Sequence, residues 1–220
     1  LRIQRGGFSS GGRAVLYDIG PHDTFAIAAH EGWHQYTQRA FRNSLPVWFE
    51  EGLATYMEGF RWSDQDPEIP EFLPWANLER YDQLRIATRY NRLFMLEELI
   101  QTSPQELMAR SQWRALTYYA QLWALMHFLN EGEQGRYRDG LRQLLDDAAA
   151  GRITQRIRER GGDRAVVAYN LRRQTGELFP AYFGKTALEM EDEYQSFLAQ
   201  IVRVGGKSEI AAGRSPVGTN

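Results

Sequence analysis

Two stretches, His30-Glu31-Gly32-Trp33-His34 and Trp48-Phe49-Glu50-Glu51-Gly52-Leu53-Ala54, decide how the rest of the chain is interpreted. Apolar residues at helical spacing predict a helix over residues 23–41, and side chains four positions apart on a helix share one face. Both imidazoles of the first stretch can therefore reach one metal ion, while Glu31 projects beside them. This H-E-x-x-H pattern is typical of a zinc site whose carboxylate performs acid–base chemistry.

A third ligand must come from elsewhere, because a catalytic zinc ion usually has three protein ligands and one position for water. A second helix, predicted over residues 46–59, offers the adjacent carboxylates Glu50 and Glu51. We expect Glu51 to be the ligand, because the small residues Gly52 and Ala54 would let this helix approach the first one closely. Glu50 lies about 100° further round the helix and should point away from the metal. The expected cofactor is one zinc ion per chain.

In such a site Glu31 acts as the general base, which takes a proton from the attacking water and returns it to the leaving amine. The predicted reaction is the hydrolysis of a peptide bond in a peptide or protein substrate. The oxyanion that forms gains from a second electrophile, for which Tyr118, Tyr119 and His127 on a predicted helix over 113–130 are candidates. His127 is better explained as a satisfied core or surface histidine.

Composition argues against several other classes of function. The net charge of −2 over 220 residues gives no basic field for nucleic acid or an anionic membrane. The absence of cysteine leaves His, Asp and Glu as the ligands for a transition metal. No run approaches the roughly 18 apolar residues of a transmembrane helix. The first residues, Leu1-Arg2-Ile3-Gln4-Arg5, lack a starting methionine and a signal-peptide core, so we expect a trimmed domain of an extracytoplasmic protein whose targeting segment is missing.

The pattern of apolar residues predicts a mainly α-helical (α+β) fold. We expect a single domain over residues 1–204 and a disordered tail over 205–220. A short apolar run at 14–19 predicts a small N-terminal β element. Residues 60–80 hold three prolines and no clear period, which predicts a long ordered loop. The apolar helix over 113–130 should be central to the core.

The run from His30 to Gln35, followed by Leu45-Pro46-Val47-Trp48-Phe49-Glu50-Glu51-Gly52-Leu53-Ala54-Thr55-Tyr56, resembles the gluzincin (peptidase MA-like) zinc metallopeptidases, which include thermolysin and the aminopeptidases. It is most similar to bacterial members of unknown function. The resemblance implies a zincin-like helical metallopeptidase domain in which His30 and His34 bind zinc and Glu31 is catalytic. In that group the ligand glutamate stands in a W-x-x-E-G-x-A run, which favours Glu51 over Glu50 here.

The run Tyr119-Ala120-Gln121-Leu122-Trp123 is similar to a segment of these bacterial proteins in which a tyrosine faces the metal, and it favours Tyr119 over Tyr118. Two features depart from the group. Thr55 stands where thermolysin-like enzymes have an aspartate that orients a zinc histidine, so we expect this support to be supplied differently or more weakly. No Gly-x-Met-Glu-Asn motif is present upstream, so nothing indicates recognition of a free amino terminus.

Two alternatives stay open on the sequence alone. The fold could serve as a non-catalytic zinc-containing module that binds or scaffolds proteins or glycans, or the chain could be a helical interaction domain without metal. Arg80, Arg85 and Arg89 could bind a substrate carboxylate, but arginines spaced along a helix usually form a solvated face. His22, next to Pro21, is best explained as a turn residue.

Overall fold

Two short antiparallel hairpins accompany the helices in the computed structural model, which describes residues 7–10, 13–16, 18–63, 65, 69–172 and 175–218. The N-terminal hairpin pairs β1 (Gly7–Ser10) with β2 (Arg13–Leu16), with Gly7 opposite Leu16. The second pairs β3 (Phe60–Trp62) with β4 (Pro70–Phe72). The prediction of a mainly helical fold with a small N-terminal β element is confirmed.

The helices account for most of the described chain. In order, they are α1 (Pro21–Ala40), α2 (Val47–Met57), α3 (Leu78–Arg89), α4 (Leu96–Gln101), α5 (Pro104–Arg110), α6 (Gln112–Gly135), α7 (Arg138–Ala150), α8 (Ile153–Arg172), α9 (Leu178–Phe183), α10 (Ala187–Ile201) and α11 (Gly206–Ala211). A 3-10 turn, Thr175–Glu177, precedes α9. One cluster of buried apolar side chains extends from Leu45 to Ile210. Among the described helices, none is both long and apolar enough to cross a bilayer.

The helix α6 lies at the centre of this core, as predicted. It contacts α2, α3, α5, α7 and α10, and its side chains from Leu122 to Leu129 are all buried. A helix that is apolar on all sides is stable only inside a protein, because every face must be covered. Regular helical geometry is lost at Gly132, and Glu133 and Gln134 adopt left-handed conformations that turn the chain towards α7.

The helix α2 is fixed between α1 and α6. Pro46 precedes its first turn, where the missing N–H costs nothing. Its Trp48 and Phe49 side chains are buried, and Trp48 packs against Phe179 of α9. A Cβ atom on Gly52 would lie only 2.9 Å from Cε of Met126, so this glycine lets α2 approach α6 closely. The expectation that Gly52 serves the contact with α1 is therefore wrong.

The expectation of a continuous loop over 60–80 is also wrong. The segment forms the β3–β4 hairpin and the start of α3, because strands of three residues are too short to show a period. Asn77 caps α3 by accepting a hydrogen bond from the backbone N–H of Arg80 (3.1 Å). Trp75 is buried and pins the segment to the core, whereas Phe72 is exposed.

The tail predicted to be disordered is ordered over residues 205–218. Gly205, at a φ of 89°, turns the chain so that α11 packs on α3. Ile210 is fully buried and Val217 packs against the core, while Lys207 forms an ion pair with Asp82 (2.9 Å). Few apolar residues were needed for this, which is why composition alone predicted disorder.

A buried carboxylate fastens α7 to the helices that follow it. Asp147 accepts hydrogen bonds from Arg152 and Arg156 (3.0 and 3.3 Å) and from the Tyr182 hydroxyl of α9 (3.1 Å). Burial would raise the pKa of this carboxyl group, but the two arginines and the tyrosine outweigh burial and lower it.

Replacing Asp147 with Asn should lower the free energy of unfolding by about 2 kcal/mol at neutral pH, because charged hydrogen bonds are lost at a buried site. Since the folded-state pKa is lowered, the contribution is complete above the unfolded pKa of about 3.9 and is lost as the pH falls through the folded value. Urea unfolding of the two proteins should therefore differ at neutral pH and converge in acid. Asp146→Asn, at an exposed neighbour, is the control, and an equal loss in both variants would contradict this role.

Candidate metal centre

The two histidines of α1 meet Glu51 of α2 where these helices touch. The Nε2 atoms of His30 and His34 lie 3.5 and 3.9 Å from Oε2 of Glu51. The two imidazole rings stand nearly edge-on, with centroids 5.0 Å apart. All three side chains are less than one-fifth exposed. The structure thus brings together the three residues predicted to bind metal.

The distances and the chemistry of this set fit a zinc ion. Two atoms that lie about 2.1 Å from one ion at a tetrahedral angle are about 3.4 Å apart, so the observed separations require only small movements. Two imidazole nitrogens and one carboxylate oxygen are typical ligands of a catalytic zinc, with the fourth position open. Among the described residues, this is the single group of three such side chains that could hold an ion.

The outer nitrogen of His30 is held by a carboxylate that the sequence analysis did not identify. Nδ1 of His30 lies 2.9 Å from Oε1 of Glu58, directly after α2. Glu58 in turn accepts hydrogen bonds from Arg80 Nη2 (2.8 Å), Arg80 Nε (3.0 Å) and Asn77 Nδ2 (3.0 Å). A carboxylate can only accept here, so Nδ1 of His30 donates its proton to Glu58. Nε2 is then the nitrogen that would bind a metal ion, in place of any proton that it carries.

The outer nitrogen of His34 is held in the same way. Nδ1 of His34 lies 3.2 Å from Oε1 of Glu50, and the Thr37 hydroxyl donates to the same oxygen. Glu50 is therefore not one of the three candidate ligands. It contacts His34 at Nδ1, the ring nitrogen that does not face Glu51. Each of the two candidate ligand histidines thus has its own orienting carboxylate.

Thr55, which stands where thermolysin-like enzymes have an orienting aspartate, does not contact His30 through its hydroxyl. The Thr55 hydroxyl donates to the backbone carbonyl of Gly52 (2.7 Å), within its own helix. The orienting carboxylate comes instead from Glu58, three residues further on, whose longer side chain reaches His30. The hydrogen bond that orients His30 therefore comes from Glu58, which is itself held by residues at the start of α3.

The charges in this cluster shift two pKa values strongly. Burial would lower the pKa of His30, but Glu51 and Glu58 outweigh burial and raise it from 6.5 to about 9. Burial would raise the pKa of Glu58, but Arg80 and His30 outweigh it and lower that pKa to about 2. Glu58 is therefore ionised at every physiological pH and remains an acceptor for His30.

The two tyrosine candidates occupy different surroundings. Tyr118 is fully buried, and its hydroxyl points to the backbone carbonyl of Thr102 (3.4 Å). Tyr119 is partly buried and feels the charges of Glu51, Arg80 and Glu31. Burial, and then the charge of Glu51, raise the pKa of Tyr119 above its usual range, so its hydroxyl keeps its proton at neutral pH and can donate it to an acceptor.

The remaining histidine and arginine candidates lie outside the ligand cluster. His127 is a buried core residue stacked on Trp75, with ring centroids 3.5 Å apart, and burial lowers its pKa. Arg80 is bound to Glu58, whereas Arg85 and Arg89 are exposed. The hypothesis of a solvated arginine face is therefore wrong for Arg80.

His22 lies in the first turn of α1 and stacks on Phe60 (4.9 Å), so its description as a turn residue before the helix is wrong. Pro21 starts the helix earlier than predicted, because proline is well suited to a first helical turn.

A cavity of about 490 Å³ has Glu58, the hydrogen-bond partner of His30, in its wall, whereas Glu31 and the three candidate ligands are not among its lining residues. Ala26 and Ile27, one turn before His30, form part of its wall, as do Glu58 and Tyr119. Ile210 of α11 closes another part. The wall combines apolar side chains with nearly as many polar and charged ones, including Asp23, Glu79 and Arg80.

The sequence model of the family described as "Protein of unknown function (DUF1570)" matches residues 24–149, which is more than half of the chain. The chain belongs to this family. The matched segment of this DUF1570 member contains the three candidate ligands. It also contains Glu31, Glu58 and Tyr119. Searches of curated proteins and of solved structures found no significant match.

Glu58 is the site residue of this DUF1570 member that the sequence analysis missed, and Arg80 was considered only as a partner for a substrate carboxylate. Glu58 follows Glu51 by seven positions, which is close to two helical turns, so helical periodicity could have placed both on one face. Arg80 reaches the site only through tertiary contacts, and no local pattern signals it.

Zinc binding tests the assignment of the three ligands. His30→Ala and Glu51→Gln should each weaken zinc binding by more than about 100-fold, the upper range for residues that only orient a ligand. Glu50→Gln should weaken binding by about 10–100-fold, because it loosens His34 without removing a ligand. Competition with a chromophoric chelator measures the zinc dissociation constant of each variant. His22→Ala, an exposed histidine, should leave this constant unchanged, and a greater loss for Glu50→Gln than for Glu51→Gln would reverse their roles.

Proposed function

We propose that the protein is a zinc-dependent peptidase that hydrolyses peptide bonds with Glu31 as the general base. The observation that carries the proposal is the convergence of His30, His34 and Glu51, with the outer nitrogen of each histidine held by a carboxylate. Structural zinc sites are usually closed by four protein ligands, whereas a set of three leaves a position for chemistry. The half-buried Glu31 in the first motif supplies the acid–base group.

When bound, zinc would supply a Lewis acid that polarises the substrate carbonyl and acidifies a water molecule. Glu31 takes a proton from that water as its oxygen bonds to the carbonyl carbon. Glu31 then passes the proton to the amide nitrogen as the C–N bond breaks. The hydroxyl proton left on the new carboxylic acid goes to the amine, so the products are a carboxylate and an ammonium group. Atoms and protons balance without any further reactant.

We assign to Tyr119 the role of hydrogen-bond donor to the oxyanion. Its hydroxyl stays protonated at neutral pH because burial and Glu51 raise its pKa, and it borders the cavity beside Glu58. A donor that is already in place gains strength as negative charge grows on the carbonyl oxygen in the transition state. Tyr118 is a weaker candidate, because its hydroxyl is directed to the carbonyl of Thr102.

Replacing Glu31 with Gln should abolish hydrolysis of a mixed peptide library while zinc stays bound. Glutamine keeps the shape of the side chain but cannot take the proton. Product formation by mass spectrometry and metal content by emission spectroscopy measure the two effects. A wild-type protein with one zinc ion per chain and no hydrolysis would instead support a non-catalytic zinc-containing binding module.

The role of Tyr119 is tested by removing its hydroxyl. Tyr119→Phe should lower kcat by about 100- to 1,000-fold, the usual effect of losing one oxyanion donor, with zinc affinity nearly unchanged. Tyr118→Phe removes the neighbouring hydroxyl and should leave kcat close to that of the wild type. Steady-state kinetics on the best peptide from the library would show the opposite ranking if Tyr118 were the donor.

A further inference from the structure

Arg80 occupies an unusual place for an arginine, because its side chain is only 14% exposed and lies behind the metal centre. Its Nη2 and Nε atoms contact the two oxygens of Glu58 at 2.8 and 3.0 Å, which is a bidentate pair. Its Nη1 atom lies 3.2 Å from Oε1 of Gln83. All three nitrogens therefore already have partners, and the guanidinium is not poised to bind a substrate carboxylate.

The same carboxylate links Arg80 to a metal ligand. Oε1 of Glu58 accepts from both Arg80 and Nδ1 of His30. Asn77 strengthens the arrangement, because its Nδ2 donates to Glu58 while its Oδ1 caps α3 at Arg80. The first turn of α3 thus holds Glu58 at both oxygens, and Glu58 holds His30.

Arg80 also touches the candidate oxyanion donor. Its Cζ atom lies 5.4 Å from the centroid of the Tyr119 ring, within the range of a cation–π contact. The ring of Tyr119 therefore rests on the cation that fixes Glu58. The Arg80 guanidinium therefore contacts both Glu58 and Tyr119.

We propose that Arg80 is a positioning residue that sets both the zinc affinity of His30, through Glu58, and the orientation of Tyr119. The part that concerns Tyr119 rests on the proposed function, whereas the part that concerns zinc affinity does not require hydrolysis. Lysine cannot replace Arg80, because an ammonium group cannot hold both oxygens of Glu58 in a fixed plane.

The first experiment measures zinc affinity. Arg80→Lys and Glu58→Gln should each weaken zinc binding by about 10–100-fold, the usual effect of losing a residue that orients a ligand. The matched control is Arg85→Lys, an exposed arginine of the same helix that pairs with Asp82, and it should stay within about 2-fold of the wild type. Wild-type zinc affinity in Arg80→Lys would overturn the proposal. The visible spectrum of the cobalt-substituted protein should shift in Arg80→Lys and not in Arg85→Lys.

The second experiment separates Tyr119 from Glu58. At saturating zinc, Arg80→Lys should lower kcat more than Glu58→Gln does. Adding Arg80→Lys to Tyr119→Phe should lower kcat further by no more than Glu58→Gln does in the wild type. Equal effects of Arg80→Lys and Glu58→Gln would overturn the link to Tyr119. If the wild type hydrolyses no peptide, the proposed function fails, and the zinc measurements still decide the role of Arg80.

Breaking a buried ion pair can unfold a protein. A third variant therefore tests whether a loss of zinc affinity comes from the site and not from unfolding. Replacing both Glu58 and Arg80 with Met removes the two charges together and keeps an apolar filling of similar size. Circular dichroism and urea unfolding verify that it folds. This double variant should also lose about 10–100-fold in zinc affinity, and wild-type affinity would overturn the proposal.

Discussion

The candidate site depends on how negative charge is buried between α1 and α2. Glu50, Glu51 and Glu58 all face the two imidazoles of α1, and each is about one-fifth exposed or less. An ionised carboxylate in such a place is costly unless donors or cations match it. Donors from α3 and α1 match Glu58, and donors from α1 match Glu50. Glu51 lies against the Nε2 atoms of His30 and His34, where a proton on His30 or a divalent cation would balance its charge.

This arrangement places the candidate site on packed helices and not on loops. The helix α2 is held by α6 behind it, and the first turn of α3 holds the glutamate that follows α2. Side chains that are locked by packing and by outer hydrogen bonds keep a site in its working geometry without reorganisation. The small hairpin β3–β4 and the buried Trp75 keep α3 within reach of the site.

The sequence was sufficient for those parts of the site that follow from spacing within one helix. Four-residue spacing predicted that His30 and His34 share a face, and the small residue after Glu51 indicated a close helix contact, although the partner of that contact is α6. The role of Arg80 could not be predicted, because it depends on a turn that brings α3 back over the end of α2. The C-terminal helix α11 was missed for a related reason, since its stability comes from one buried side chain, Ile210, and not from its composition.

The contact between Gly52 and Met126 has a consequence for how such a chain can diverge. A single added carbon at position 52 would meet the Met126 side chain at 2.9–3.3 Å, at the residue that follows the candidate ligand Glu51 in the chain. A larger residue at position 52 therefore requires the flexible Met126 side chain to move, or to be replaced by a smaller one, if Glu51 is to stay in place. In related chains that keep this site, the residues at these two positions should vary as a pair, with their combined volume nearly constant.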